Sequence, residues 1–454
     1  MAPQTATEHL LAGIWMDVLG LDRAGVHDDF FALGGDSILS IQVVTRARRA
    51  GIELTPRQVF QSPTAAGLAA VADARPAPAA EQGPVLGPAP LTPAQSWFFE
   101  QALPSPHHWN MSLALELTRE VPAELLARAL GVVLEHHDAL RLRFAAEGGD
   151  WRQEHAPPDA GPPPFERVDL SALPAEARAG ALGSALRSLQ GSLDLARGPL
   201  LRAALVRPGE GERDLLVFVA HHLVVDAVSW RVLLEDFALA CQQLAAGGAA
   251  SLPPKTDSFQ AWARRLAEHA DAPALRDELP YWLGQAWGRA GRLPASGGAA
   301  ENREGGGAEE RVALGADETR ALLHDAARAL DARPQELLLG ALAGALGAAT
   351  GADFALVDVE THGRSDAFEG LDVSRTVGWF TAFYPSLWPA RGEPEALARA
   401  AKAATRAVPG GGLGYGLLRY ACGDRAVRDA LGALPRAEVA FNYLGRVDGA
   451  VPAA

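Results

Sequence analysis

The sequence predicts a small all-helical bundle followed by a larger α/β domain in two lobes, and three observations predict it. Residues 6–72 carry helical apolar spacing with turn signals between segments. Residues 73–90 (DARPAPAAEQGPVLGPAP) lose all period and fill with Pro, Ala and Gly, the composition of an interdomain linker. From Leu91 onward helical stretches alternate with short apolar runs of strand length. At 454 residues the chain exceeds one ordinary core, which agrees with two or three folding units.

Each element has its own signal. In residues 6–19 (ATEHLLAGIWMDVL) Leu10, Ile14 and Val18 form one helical stripe. The run Phe30-Phe31-Ala32-Leu33-Gly34-Gly35-Asp36-Ser37 then leads into a second helix through Val44. Gly34 and Gly35 let the backbone turn sharply, and Ser37 falls at or beside the cap of that helix. A third helix starts near Thr64, after the Ser62-Pro63 turn, and ends near Ala72. This sets a bundle over 1–75, a linker over 76–90 and the large domain over 91–454, its lobes dividing near residue 270. Within the large domain 123–137 and 229–247 read as helices, and 215–220 (LLVFVA) and 354–359 (FALVDV) as buried strands. Residues 317–348 read as an Ala/Leu-rich helical stretch broken at Arg333-Pro334. The Pro-rich 156–164 and the Gly-rich 295–308 read as surface loops.

Composition excludes several classes. A net charge of -14 opposes a nucleic-acid or anionic-membrane surface, since both need basic footprints. Cys241 and Cys422 offer neither a disulfide framework nor zinc spacing. The start has no basic residues followed by a long apolar run, and the apolar 337–349 is too short to cross a bilayer. A soluble cytoplasmic chain is expected. The Gly-rich 410–416 lacks the βαβ context of a dinucleotide loop, and no G-x-S-x-G elbow occurs.

A serine behind two glycines at a helix start suits a phosphate-linked group, because the helix offers free N–H donors and a favourable dipole. Alone, the string also reads as a loop with a helix cap. Its context carries more. Asp29-Phe30-Phe31, Leu33-Gly34-Gly35-Asp36-Ser37, Val59-Phe60 and Pro63-Thr64 with Leu68 together resemble the thiolation (peptidyl carrier) domains of nonribosomal peptide synthetases. The resemblance implies that Ser37 bears a 4′-phosphopantetheine arm. Asp36, where many carriers have His, resembles carriers that feed epimerization domains.

In the large segment His221-His222 end a strand, and Asp226 follows. Two histidines and a carboxylate could form a metal triad, but neighbours on a strand point to opposite faces. A split role is expected, one ring facing a cavity and the other holding the site. A second strand ends in Val357-Asp358-Val359-Glu360-Thr361-His362-Gly363-Arg364. Alternation puts Asp358 and Glu360 on one face, and the residues alone do not choose between them. Deprotonating a carbon beside a thioester needs a near-neutral base, a donor for the opposite face and a partner for the developing oxyanion. A histidine and a carboxylate raised by burial suit the first two. Glu135-His136-His137-Asp138 reads as a solvated helix end, and Trp97, Trp230, Trp262, Trp282 and Trp379 as core or tunnel wall.

Ordered motifs make this segment resemble the epimerization domains of the condensation superfamily: Leu91-Thr92-Pro93-Ala94-Gln95, His221-His222 through Asp226, Val228-Ser229-Trp230-Arg231, Glu360-Thr361-His362-Gly363-Arg364, Arg375-Thr376-Val377-Gly378-Trp379, Pro409 to Gly416 and Phe441-Asn442-Tyr443-Leu444-Gly445. The resemblance implies a two-lobed domain like chloramphenicol acetyltransferase, its site in the cleft between lobes, inverting the α-carbon of a carrier-bound aminoacyl or peptidyl thioester. By the same resemblance His222 and Glu360 are the acid/base pair and His221 supports them. Asp226 is then structural, paired to Arg364 or Arg375, while Asn442 and Tyr443 sit near the reacting centre, and no metal is required. The implied partners are an upstream adenylation domain, a downstream condensation domain and a phosphopantetheinyl transferase, with no nucleic acid and no membrane.

Thr361 stands where the family has glycine. The chain also stops soon after Gly445, where the family continues with strands and a helix, so a truncated C-terminus is expected. Two rivals remain. An amide-forming condensation domain would have Gly where Ala227 stands, and a silent docking module would lose the second His or the carboxylate.

Overall fold

The computed structural model describes residues 3–35, 37–52, 54–72, 80–209, 211–294, 307–364, 368 and 370–445, the side chains of residues 37, 38, 49, 56 and 57 aside. It contains two compact units. One comprises Met1–Ala74, Asp271–Thr361 and Ala382–Gly445; the other includes Arg75–Ala270 and His362–Thr381.

The first unit opens with four helices: α1 (Ala6–Leu19), α2 (Ser37–Arg49), α3 (Pro56–Gln61) and α4 (Ala65–Val71). Thr5 and Glu8 cap α1 reciprocally, and Gly20 ends it in the left-handed conformation (φ 64°). The buried stripe of α1 is Leu11, Ile14, Trp15 and Leu19; Leu10, expected inside, is 37% exposed, and Val18 is only partly buried. Trp15 decides this rotation. Its ring packs 5.3 Å from that of Phe30, and both are fully buried among Val43, Val44, Leu54, Val59 and Leu68. The sequence reading had no α3. Thr55 and Gln58 cap it reciprocally in a T-x-x-Q signature that was legible, but six residues are too few to show a period.

The second unit begins before residue 91. Strand β1 (Gly87–Ala89) pairs antiparallel with β4 (Asp150–His155), Gly87 opposite His155, and Gln82 already exchanges hydrogen bonds with the backbone of Lys255. The unpatterned linker therefore ends near residue 81. A strand this short takes its identity from its partner rather than from its own composition. Helix α5 (Pro93–Glu100) follows, then β2 (Asn110–Glu116), α6 (Ala123–His136) and β3 (Leu142–Glu147). The strands β1-β4-β3 form one sheet. A second has the order β2-β7-β6-β5, with β5 at Phe165–Asp169, β6 at Leu201–Arg207 and β7 at Leu215–His221. Apolar on both faces, β7 is buried almost throughout, as expected of a central strand. Helix α7 (Ala175–Gln190) packs on this sheet, and α8 (Ala227–Ala245) and α9 (Phe259–His269) complete the segment up to Ala270.

The chain then returns to the first unit with short helices α10 (Pro273–Arg276), α11 (Leu279–Leu283), α12 (Ala316–Arg320) and α13 (Ala327–Leu330), and the long α14 (Pro334–Thr350). Strand β8 (Phe354–Thr361) lies between β9 (Ala382–Pro389), antiparallel, and β10 (Ala440–Asn442), parallel. Helices α15 (Pro394–Ala407), α16 (Leu413–Gly416) and α17 (Arg425–Gly432) separate β9 from β10. Gly340 and Gly347 let α14 approach α15 and the backbone of Ala390, where a Cβ would collide.

Between β8 and β9 the chain leaves this unit. Residues His362–Thr381 belong to the unit of α8, not to that of their sequence neighbours, which departs from a lobe running unbroken from 271 onward.

Candidate active-site residues

The histidine pair ends β7. His221 is fully buried; its Nε2–H donates to the carbonyl of Pro106 at 2.8 Å, and its Nδ1 accepts from the Leu223 amide at 3.1 Å. Both nitrogens are committed and burial pushes its pKa down to about 4, so the ring is a neutral brace. His222 opens a 3-10 turn (His222–Val224), and its amide bonds to the carbonyl of Trp109. Its ring lies tilted against Trp379 at 4.7 Å, and its Nδ1 is buried without a hydrogen-bond partner among the described residues. Burial lowers its pKa too. Burial thus holds the His222 imidazole toward its neutral form.

Asp226 caps α8: its Oδ1 accepts from the Ser229 amide at 2.7 Å and its Oδ2 from the Phe380 amide at 3.1 Å. Its ion-pair partner is Arg364, not Arg375. Nη2 of Arg364 reaches both carboxylate oxygens (3.0 and 3.2 Å) and the Ser229 hydroxyl, and Nη1 reaches the carbonyls of Val373 and Thr376. The guanidinium also stacks 3.9 Å from the Phe380 ring. With both oxygens engaged, Asp226 is a fastener. Arg375 instead pairs with Glu235 and Asp236.

Asp236 in turn holds His137 at 3.1 Å, and Asp138 lies between Arg141 and Lys255. His137, hydrogen-bonded to Asp236, and Asp138, ion-paired to Arg141 and Lys255, are therefore buried, not a solvated helix end. The sequence reading missed this because Asp236 and Lys255 lie far along the chain. His136, His137 and Asp236 bring potential metal-ligand atoms within 4.8 Å of one another, but Asp236 already serves Arg375 and His137.

The other candidates lie in the first unit. Glu360 sits near the end of β8, paired with Phe383 of β9 and Asn442 of β10. The Asn442 side-chain amide donates to its Oε2 at 2.8 Å. Burial first, then the charge of Asp358, raise the Glu360 carboxyl to about 7; burial raises Asp358 to about 6. The two carboxyls share a face, and what separates them is register: the amide bonds to Glu360, while Asp358 stands opposite Ala440. Half-buried Tyr443 follows directly, and Thr361 closes β8 against Ala382. The glycine-rich 409–416 is a packing motif. Gly412 (φ 91°) lies against the Tyr384 ring and Gly414 against the Glu278 carboxyl, where no Cβ would fit. Glu278 is held by the indole N–H of Trp282.

Ser37 begins the 13-residue α2. Gly34 adopts φ 95°, and a Cβ on Gly35 would run into the Phe30 ring and carbonyl. This close turn delivers a serine at the amino end of a helix, which fits a phosphodiester-linked arm. Asp36 lies outside the described residues.

The condensation-domain family model matches residues 85–450, and the phosphopantetheine attachment site model matches 9–72. The chain is 44% identical, over its whole length, to part of a linear gramicidin synthase of Brevibacillus parabrevis. It is 43% identical over 99% of its length to part of chondramide synthase cmdD of Chondromyces crocatus. It spans only 9% and 11% of those relatives. The crystal structure of the epimerization domain from the third module of tyrocidine synthetase B superposes with a TM-score of 0.75 at 33% identity, covering 81% of each chain. The matches agree with a helical carrier region followed by an α/β domain of the chloramphenicol-acetyltransferase type.

Proposed function

Because the chain belongs to the condensation-domain family and carries a phosphopantetheine attachment domain, we propose that it epimerizes the α-carbon of an aminoacyl or peptidyl thioester held on Ser37, within a nonribosomal peptide assembly line. The observation that carries this reading is Glu360: a strand-end carboxyl raised to about 7 and hydrogen-bonded by Asn442. Proton exchange at carbon calls for such a group, and amide formation from an amine and a thioester has no evident use for a second one beside the histidine. The 33% identity to a domain described as an epimerization domain supports it.

The pantetheine thioester supplies the tether and the carbonyl that acidifies the α-carbon. The protein's residues do the rest. His222, held toward the neutral form by burial, takes the α-proton in one direction, and Glu360, whose carboxyl stays about half protonated at pH 7, returns one to the opposite face. The roles exchange for the other enantiomer. Asn442 orients the carboxyl through its amide, and His221 braces the turn that presents His222. The adenylation and condensation domains and the phosphopantetheinyl transferase implied by the sequence are the partners this role requires. Among the described residues no helix is long and apolar enough to cross a membrane.

The test loads the carrier with an L-aminoacyl-pantetheine in deuterated water and follows α-deuterium and stereochemistry of the released amino acid. Wild type should take up deuterium and yield a D/L mixture. His222→Ala and Glu360→Gln should each lower uptake by about a hundredfold or more, the scale of a lost general acid or base. Uptake by His222→Ala at the wild-type rate, or amide formation with an added amine and no uptake by wild type, overturns the proposal.

A further inference from the structure

We infer that Arg333 and His324 form a recognition surface for the chain's own carrier bundle, reading two aromatic side chains that the bundle leaves outside its core. In each of two carrier motifs one residue is fully buried in the core and its neighbour lies at or beyond the core's edge. Phe30 and Val59 are fully buried, whereas Phe31 is only partly buried and Phe60 is 39% exposed. The outward pair stack on each other, centroids 4.8 Å apart and rings inclined by 23°. Phe31 rests its inner edge on Phe30 at the margin of the core, and together with Phe60 it turns a stacked aromatic surface outward toward a partner.

That partner belongs to the same unit. The Arg333 guanidinium lies 5.7 Å from the centre of Phe31 and 5.9 Å from that of Phe60, within the range of a cation–π contact with both. Nearby, the His324 imidazole lies where a side chain on Gly34, the glycine three residues before the attachment serine, would touch it: a Cβ there would come 3.4 Å from the ring. Arg333 stands at the helical break that the sequence shows as Arg333-Pro334. Extended there (φ -80°, ψ 151°), it caps α14 through its backbone N–H, which bonds to Glu336, and this leaves its side chain free for the carrier. A cation–π contact with exposed rings is weak. It suits a carrier that must dock and leave.

The inference rests on residues 9–72 being a carrier, not on the reaction, so its test reads docking without turnover. In the full chain, amide hydrogen exchange is followed in 26–35 of the carrier, in 321–336 around Arg333, and in α1 as a folding control. Arg333→Ala should speed exchange in 26–35, and Phe60→Ala should speed it in 321–336. Each should lower the docked-to-undocked ratio by about two- to fivefold, the scale of one exposed cation–π contact. The double variant should do no more than Arg333→Ala alone, since that change already takes the cation from both rings. Arg333→Lys should restore part of the effect by keeping the cation. If Phe60→Ala disturbs α1, Phe60→Leu, which keeps an apolar side chain but no π-face, takes its place. Exchange around Arg333 that ignores every Phe60 variant, or a double variant that exceeds Arg333→Ala by the full effect of Phe60→Ala, overturns the inference. An inactive epimerase would leave this readout intact.

Discussion

At the scale of residues, Glu360 and Asp358 are two carboxyls two positions apart on β8, each raised above its ordinary value by burial, and Glu360 further by its neighbour's charge. The consequence for pH follows in sign. Where Glu360 donates the proton, the rate should fall as pH rises through about 7, because the carboxyl then ionises. Asp358→Asn removes the negative charge that opposes this ionisation, so the fall should move to lower pH; a pH profile of α-deuterium uptake in each direction checks it. Stability carries the same signature. A carboxyl raised in the folded state contributes stability that is full below its ordinary value of 4.5 and lost as pH climbs to about 7. Glu360→Gln should therefore lose less stability than wild type between pH 4.5 and 7, measured by denaturant titration. Much of this was legible: alternation placed both carboxyls on one face. The choice between them was not, because Asn442 meets Glu360 only through the pairing of β10 with β8, across 82 residues of sequence.

At the scale of elements, residues 362–381 are bound to α8 by Arg364 on Asp226 and Ser229, by Gly378 on Ser229 and by Arg375 on Glu235 and Asp236. Asp226 and Arg364 are both buried, so removing one partner strands the other's charge away from water. Arg364→Ala should cost about 3–5 kcal/mol of unfolding free energy. Arg364→Lys should recover little of it, because one ammonium cannot span the carboxylate, the hydroxyl and two carbonyls that the fork reaches together. Chemical denaturation of the three proteins checks both statements. Sequence motifs marked Asp226, Arg364 and Arg375 as important and left the pairing open. Nothing local distinguishes two arginines in one short segment; which one enters the turn before α8 depends on how the whole segment packs.

At the scale of the molecule, the proposed chemistry joins Ser37 at the head of α2 to groups hundreds of residues later. Ser37→Ala should gain no mass on incubation with coenzyme A and a phosphopantetheinyl transferase and should lose α-deuterium uptake from carrier-bound substrate, while exchange in α1 stays unchanged. Mass spectrometry of the intact chain reads the first and hydrogen exchange the last. By itself the sequence determined the helical bundle, the loss of pattern after it, the buried strands at 215 and 354 and the residue types at their ends. These are periodicities and contiguous strings, dictated by local chemistry. The tertiary structure alone decided the rotation of α1 onto Trp15, the partner of Asp226, the amide on Glu360, the burial of His137 and Asp138, and the meeting of Arg333 with Phe31 and Phe60. Each joins residues far apart in the chain, and such pairings follow from which surfaces pack together, a property no short stretch of sequence contains.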